Sequence, residues 1–142
     1  MAILIASGVN LDLLGQREPA IYGHKTLKDM QVLLTKNWAG LAKQYGFLRE
    51  KIVFYQTNSE SELLAKISEP WQGIVLNPGA WTHTSLALAD RLAGLGVHFV
   101  EVHLSNLSAR EEIRKHSYCA PHALGVVSGF GIEAYLLGLQ GL

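Results

Sequence analysis

The sequence AILIASG, at residues 2–8, decides the fold class. Its first five residues are apolar and the run stops at a serine and a glycine, which is typical of a strand buried on both faces of a parallel sheet. Similar short runs recur at residues 52–55, 73–76, 99–104 and 125–127. Five such runs separated by helical stretches predict an α/β fold in which a five-stranded parallel sheet lies between two layers of helices.

Capping patterns predict where the helices begin and end. Three serine or threonine residues, each followed three positions later by an acidic residue, have the pattern of helix N-caps: Thr26, Ser59 and Ser108. Gly46 is expected to end the first long helix, and Thr84 or Ser85 is expected to cap the helix that follows the third strand. Residues 132–139 predict a final helix with an apolar face.

Composition limits the classes of function. The chain has 142 residues, of which twelve are basic, twelve are acidic and 49% are hydrophobic. This length suits one domain, and the balanced charge provides no field that would attract nucleic acid or an anionic membrane. No apolar run approaches the roughly 18 residues of a membrane span. One cysteine, Cys119, excludes an intramolecular disulfide, and no leader pattern is recognised, so we expect a cytoplasmic protein.

Residues 8–23 break the alternation of strands and helices. A strand-to-helix connection usually has about 2–6 residues, so a segment of this length is expected to be a lid or a binding loop. Ligands of open α/β sheets bind beyond the carboxyl ends of the strands. This loop is therefore expected to share one site with residues 77–84, after the third strand, and residues 103–106, after the fourth.

Within that loop, Arg17 and Tyr22 are candidates for acid–base chemistry, and Asn10 is a further polar group. A free tyrosine is almost fully protonated at neutral pH, and a neighbouring arginine favours the tyrosinate, which is a usable base. A surface ion pair of Arg17 and simple packing of Tyr22 are the competing interpretation.

Glu101 and His103 are two residues apart on the predicted fourth strand, so their side chains point to the same face. A carboxylate beside an imidazole fixes its tautomer and favours the imidazolium form. At the carboxyl end of a strand this pair is a candidate general acid. The competing interpretation is a core histidine whose only partner is a buried carboxylate.

Two further groups of residues are candidates to bind an anionic or hydroxylated ligand. Asn77 and His83 belong to a turn that precedes a helix N-terminus, and Asp90 is expected on the same side of that helix as His83. Helix capping alone also explains this turn.

The segment after His103 contains the second group. Ser105 and Asn106 offer backbone N–H groups that suit a carboxylate. Arg110 and Arg114, expected one helical turn apart, suit an anionic substrate, although single arginines are more often solvated surface charges.

Signals for a metal or a cofactor are weak. The six histidines include no pair with H-x-x-x-H spacing, and residues 7–10 lack the G-x-G-x-x-G pattern of a dinucleotide site. Cys119 has no base near it in sequence and is expected to pack in the core.

An ordered set of motifs resembles the type II 3-dehydroquinate dehydratases. In chain order the motifs are GVNLDLLG at 8–15, REP at 17–19, YG at 22–23, QTN at 56–58, NPGAWTHTS at 77–85, EVHLSN at 101–106, ARE at 109–111, HSY at 116–118 and GFG at 129–131. The likeness covers nearly the whole chain in the same order, which makes it far more specific than any one motif.

The resemblance implies a three-layer flavodoxin-like fold, with residues 1–142 as a single catalytic domain, and a hydro-lyase without cofactor or metal. The implied reaction is the reversible anti elimination of water from 3-dehydroquinate to 3-dehydroshikimate through an enolate. It belongs to the shikimate pathway of aromatic amino acid and chorismate biosynthesis, or to quinate catabolism. The implied assembly is a homo-dodecamer built as a tetramer of trimers.

The resemblance also implies a role for each candidate catalytic residue. Tyr22 would remove the proton beside the ketone, assisted by Arg17. His103 would protonate the departing hydroxyl, and Glu101 would orient it. Asn10 would help to stabilise the enolate through a bound water.

The implied substrate-binding residues form a second set. They are Asn77, His83, Leu104, Ser105, Arg110, Arg114 and the Asp90 of a neighbouring subunit. Asn77 and the backbone at Leu104 and Ser105 would hold a hydroxyl and the carboxylate. His83, Arg114 and Asp90 would hold ring hydroxyls, with Arg110 supporting the site.

The chain departs from the usual family pattern at five positions. Val9 stands where proline is usual and Asp12 where asparagine is usual, both in the long loop after the first strand. Ala89, Ser61 and Lys115 replace a common arginine, glycine and histidine. None of these changes removes a candidate catalytic group, so activity is expected.

Two other functions remain open at this point. One is a flavodoxin-like protein that carries a flavin or a phosphorylated signal, although the chain lacks the paired acidic residues that receiver domains use after the first strand. The other is an inactive relative kept as an assembly subunit. Turnover of 3-dehydroquinate would separate both from the enzyme.

Overall fold

The computed structural model describes residues 1–46 and 51–142, and a parallel sheet forms its centre. Within those residues the sheet has five strands: β1 (Ile3–Ser7), β2 (Ile52–Gln56), β3 (Gly73–Asn77), β4 (Phe99–His103) and β5 (Gly125–Ser128). All pair in parallel in the order β2-β1-β3-β4-β5, which is the flavodoxin-like order. The predicted fold class is confirmed.

The helices are α1 (Pro19–Tyr22), α2 (Leu27–Tyr45), α3 (Glu60–Ile67), α4 (Leu86–Leu95) and α5 (Glu133–Gly141). The starts of α2, α3 and α4 lie beside caps that the sequence predicts, whereas the helix expected at Ser108 does not form. Thr26 and Asp29 form a reciprocal capping box, and Ser59 and Ser85 each accept a backbone N–H of the first helical turn. Gly46 ends α2 at φ 83°, in the left-handed region that suits glycine.

Two apolar layers hold the helices on the sheet. Ile3, Ile5 and Val102 point to one face and pack with α2 and α5, whereas Leu4 and Ala6 point to the other and pack with α3 and α4. The alternation follows from the two-residue period of a strand. The result is the three-layer arrangement that the sequence predicts.

Only the central strands are buried on both faces. Every residue of β1, β3 and β4 is buried, whereas β2 is half-buried and β5 is partly exposed. The sequence led us to expect the same burial for all five. The two exceptions are the edge strands, which have a neighbour on one side only.

The prediction that a helix starts at Ser108 is wrong. The chain there forms two short 3-10 turns, Leu107–Ala109 and Glu112–Arg114, and Asn106 rather than Ser108 accepts the capping hydrogen bond. Arg110 lies between them in an extended conformation, because its guanidinium is hydrogen-bonded to Ser105 and Tyr22. These tertiary contacts outweigh the local helix signal.

The long loop after β1 is built of short helical pieces. It contains a 3-10 turn, Leu11–Leu13, and then α1. Asn10 has φ 65°, and its backbone N–H donates to Asn58 Oδ1 at 2.8 Å. The Asn58 amide nitrogen in turn donates to Asp12 Oδ2 at 3.3 Å, so Asp12, one of the departures from the family pattern, helps to attach the loop to the end of β2.

Tyr135 of α5 forms hydrogen bonds with the last residues of β1 and β3. The side chain is fully buried, and its hydroxyl lies 2.8 Å from Ser7 Oγ and accepts a hydrogen bond from Asn77 Nδ2 at 3.1 Å. Burial raises the pKa of Tyr135 to about 12, so the group is a neutral hydroxyl at physiological pH. Asn77 Oδ1 accepts the backbone N–H of Gly79, which fixes the orientation of the amide.

Replacement of Tyr135 by phenylalanine is expected to lower the free energy of unfolding by about 1–3 kcal/mol, because it leaves two buried polar groups without a partner. Urea titration at one protein concentration measures the change. The matched control is Tyr45→Phe at a side chain that is 46% exposed, where a change within about 0.5 kcal/mol is expected. Equal stability of the two variants would contradict the anchoring role.

Candidate functional site

A pocket lies over the carboxyl ends of β1, β3 and β4, next to the β1/β3 position at which the order of the strands reverses. This is where flavodoxin-like folds bind ligands. Ten of the residues that the sequence singles out line it: Asn10, Arg17, Tyr22, Asn77, His83, His103, Leu104, Ser105, Arg110 and Arg114. The structure therefore brings together three segments that the sequence predicts to meet.

Tyr22 sits between two arginine side chains. Arg17 donates to its hydroxyl oxygen at 3.0 Å and also lies over its ring, 4.4 Å from the centroid. Arg110, which is 88 residues away in sequence, donates to the same oxygen at 3.3 Å. Two guanidinium groups thus place their positive charge at one phenolic oxygen. The sequence indicated the first contact, and the second is visible only in the fold.

His103 and Glu101 form a hydrogen-bonded pair under the pocket. Nε2 of His103 lies 2.5 Å from Glu101 Oε1, and both side chains are buried. Because a carboxylate accepts, this contact holds the imidazole proton on Nε2 and leaves Nδ1 as the nitrogen available for other chemistry. His103 lines the pocket and Glu101 stands behind it.

Glu101 is fully buried yet remains an acid with a low pKa. Burial by itself would raise the pKa of this carboxyl group, but hydrogen bonds and the charge of His103, together with hydrogen bonds from Thr82 and Ser117, lower it below its ordinary value. Thr82 Oγ1 lies 2.5 Å from Oε1, and Ser117 Oγ lies 2.8 and 2.9 Å from the two oxygens.

His83 faces the pocket as a neutral ring. Its Nδ1 lies 2.8 Å from the carbonyl oxygen of His116, so Nδ1 carries the proton and donates. Burial lowers the pKa of His83, and the nearby charges of His103 and Arg114 act in the same direction. The ring stacks on His103 with centroids 6.4 Å apart. Its Nε2 is therefore suited to accept a hydrogen bond from a hydroxyl group.

The cationic wall of the pocket is held by neighbouring side chains. Arg110 donates to Ser105 Oγ at 3.1 Å as well as to Tyr22. Arg114 forms a 2.7 Å ion pair with Glu111, which raises the pKa of the guanidinium. The wall suits a carboxylate or a hydroxylated anion.

Asp90 does not reach this pocket in its own chain. His83 ends a 3-10 turn, Gly79–His83, and the backbone leaves helical geometry at Thr84 before α4 begins. His83 and Asp90 thus do not share a helix, and the expectation that they lie on one side of it is wrong. Asp90 is exposed on α4, beside Leu64 and Ala87.

Sequence reasoning missed three residues that support the site. Thr82 and Ser117 bind Glu101, and Tyr135 binds Asn77. Thr82 and Ser117 belong to the motifs THTS and HSY, but nothing in the sequence indicates which carboxylate their hydroxyl groups contact. Tyr135 looks like an ordinary apolar-face residue of the last helix.

Within residues 1–46 and 51–142, no helix is long and apolar enough to cross a bilayer. In the same ranges, no cluster of three or more histidine, cysteine, aspartate or glutamate side chains is arranged to hold a metal ion.

Known proteins similar to this chain agree on one family. The family model described as dehydroquinase class II matches residues 1–142. A 3-dehydroquinate dehydratase from Nostoc sp. is 48% identical over all of this chain and 94% of its own length, and one from Prochlorococcus marinus is 46% identical with the same coverage.

Solved structures give the same result. A type II dehydroquinase from Propionibacterium acnes has a TM-score of 0.86 and 36% identity, covering 98% of this chain and 93% of its own. One from Butyrivibrio crossotus has a TM-score of 0.87 and 34% identity, covering 99% and 95%. With a match along its full length in sequence and in fold, this chain belongs to the class II dehydroquinase family.

Proposed function

We propose that this chain is a 3-dehydroquinate dehydratase, a hydro-lyase that reversibly eliminates water from 3-dehydroquinate to give 3-dehydroshikimate. One observation supports the proposal in addition to family membership. A tyrosine with two guanidinium contacts and a histidine paired with a carboxylate line one pocket, together with a cationic wall. An elimination of this kind needs a base, an acid and an anion site, and the pocket contains a candidate for each.

Tyr22 acts as the base in this proposal. As tyrosinate it takes the proton from the carbon beside the ketone, and the electron pair of that C–H bond moves into an enolate. Arg17 and Arg110 stabilise the tyrosinate, because both guanidinium groups donate to its oxygen. Asn10, at the start of the loop, helps to stabilise the enolate through a bound water.

His103 acts as the acid. When the enolate collapses, the C–O bond of the leaving hydroxyl breaks and Nδ1 of His103 supplies a proton, so that water departs. Glu101 stabilises the imidazolium before this transfer, because its carboxylate accepts the Nε2–H. In the reverse direction the same two residues exchange roles.

The remaining pocket residues bind the substrate. Asn77, with its amide fixed by Tyr135 and Gly79, and the backbone at Leu104 and Ser105 hold a hydroxyl and the carboxylate. Neutral His83, Arg114 and the Asp90 of a neighbouring subunit hold ring hydroxyls, while Arg110 also positions Ser105. We further propose that the enzyme acts in the cytoplasm as a dodecamer, in the shikimate pathway or in quinate catabolism.

The test of the function is turnover of 3-dehydroquinate by the purified protein without added cofactor. The product is a conjugated enone, so its ultraviolet absorbance should rise with time. Borohydride added with substrate should not inactivate the enzyme, since no imine forms. A folded protein that gives no absorbance change would instead be an inactive relative.

Two substitutions test the assigned chemistry. Tyr22→Phe and His103→Ala should each lower kcat by about 10²–10⁴-fold, the usual loss when a positioned acid or base is removed. Matched controls are Tyr45→Phe and His98→Ala, at exposed positions outside the pocket, which should keep kcat near that of the unchanged protein. Full activity in both pocket variants would refute the mechanism.

Subunit complementation tests the role of Asp90 and the assembly. Asp90→Ala and His103→Ala should each be nearly inactive alone, whereas co-expression of the two should restore activity, because mixed sites combine an intact His103 with a neighbour's intact Asp90. Light scattering should give about twelve times the 15.6 kDa of one chain. Activity of the mixture no higher than that of the parents, or a monomer mass, would exclude a site shared between subunits.

A further inference from the structure

Two hydroxyl groups surround the Glu101 carboxylate on the side away from the pocket. Thr82 lies in the turn after β3 and is fully buried, and Ser117 lies in the segment between Arg114 and β5. Their oxygens contact Glu101 and are 2.6 Å from each other. The backbone N–H of Tyr118 donates to the carbonyl of Thr82 at 2.8 Å, which holds the two segments together.

The direction of each hydroxyl proton follows from the count of donors and acceptors. Ser117 Oγ accepts two backbone N–H groups, from Cys119 at 3.1 Å and Ala120 at 3.0 Å. Its lone pairs are then occupied, so Ser117 does not accept from Thr82. The Ser117 proton goes to Glu101, whose two oxygens lie 2.8 and 2.9 Å from Oγ, because an anionic carboxylate is a stronger acceptor than the Thr82 hydroxyl. Thr82 also donates to Glu101, because this carboxylate is a stronger acceptor than the Cys119 thiol, the other group with which the Thr82 hydroxyl hydrogen-bonds.

Glu101 therefore receives three donors, which are Thr82, Ser117 and His103 Nε2. We propose that Thr82 and Ser117 are positioning residues of the elimination, whose hydroxyl protons keep the Glu101 carboxylate ionised and aimed at His103. A protonated Glu101 would need an acceptor for its own proton, but the hydroxyl groups of Thr82 and Ser117 already act as donors to it. The arrangement therefore opposes protonation of Glu101. The inference rests on the proposed function, because it assigns His103 as the acid.

Substitutions of Thr82 separate the effect of its hydroxyl group from that of its shape. Valine has nearly the same shape but lacks the hydroxyl, whereas serine keeps the hydroxyl and lacks the methyl group. Thr82→Val should lower kcat by roughly 10-fold, the scale of one charge-assisted hydrogen bond, with KM within about twofold. Thr82→Ser should restore most of kcat. Thr84→Val is the control and should keep kcat, because the Thr84 hydroxyl, in the same turn, donates to the Ala80 carbonyl and not to Glu101.

Carboxyl ¹³C NMR of glutamate-labelled protein gives a readout that packing alone would not change. The Glu101 signal, assigned by its loss in Glu101→Gln, should titrate at a higher pH in Thr82→Val than in the unchanged protein, because a donor to the charged form has been removed. The other titratable groups facing this carboxylate are His103, Cys119 and, further away, His83. They are identical in both proteins.

The outcomes separate the two proposals. An unchanged kcat and Glu101 titration in Thr82→Val, or an equal loss in Thr82→Ser, would overturn the positioning role. If Thr82→Val does not fold, Ser117→Ala faces the same criteria. If neither variant folds, ¹⁵N NMR of the unchanged protein tests the network through the tautomer of His103. The network requires neutral His103 to carry its proton on Nε2, and an Nδ1–H form would refute it. Absence of turnover in the unchanged protein would refute the function, while the NMR measurements would still judge the network.

Discussion

The site depends on an ionised carboxylate held in the interior of the protein. Transfer of an unpaired carboxylate into such a place costs several kcal/mol or more, and Glu101 tolerates it because His103, Thr82 and Ser117 all donate to it. These donors come from β4, from the turn after β3 and from the segment before β5. One buried charge thus requires three separate parts of the chain to meet, and their meeting forms the wall of the pocket.

The opposite charge pattern surrounds Tyr22. There a phenolic oxygen meets two guanidinium groups, one supplied by the same loop and one by the segment after β4. Each of these guanidinium groups has a second partner: Arg110 donates to Ser105, and Arg17 lies 3.9 Å from the Glu18 carboxylate. Because neighbouring side chains hold these groups in position, little reorganisation is needed when charge develops during reaction.

The sheet supplies the rigid base for both ends of the pocket. β1 and β3 are adjacent and fully buried, and Tyr135 ties their carboxyl ends to α5. Gly138, one turn further along α5, lets the helix approach the sheet, since an added Cβ would lie 2.6 Å from Val102 Cγ1. The loop that carries Tyr22 is attached to this base by the hydrogen bonds of Asn58 and by Leu11 and Leu14, which are buried in the same apolar layer as Ile3 and Ile5 of β1.

The sequence alone determined the features that depend on near neighbours. Strand runs, the caps at Thr26 and Ser59, and the shared face of Glu101 and His103 all follow from periodicity and local hydrogen bonding. Most pocket residues were also found this way, because parallel strands end at one edge of the sheet and the family motifs fall there.

Only the tertiary structure decided the features set by contacts between distant segments. One such feature is the strand order. The others are hydrogen bonds between residues 16 to 128 positions apart: the second arginine at Tyr22, the hydroxyl donors of Glu101 and the anchor at Tyr135. Such contacts also overruled the helix signal at Ser108. The physical reason is that a local propensity is worth a few tenths of a kcal/mol to about 1 kcal/mol per residue, less than the hydrogen bonds and ion contacts that a buried charge demands.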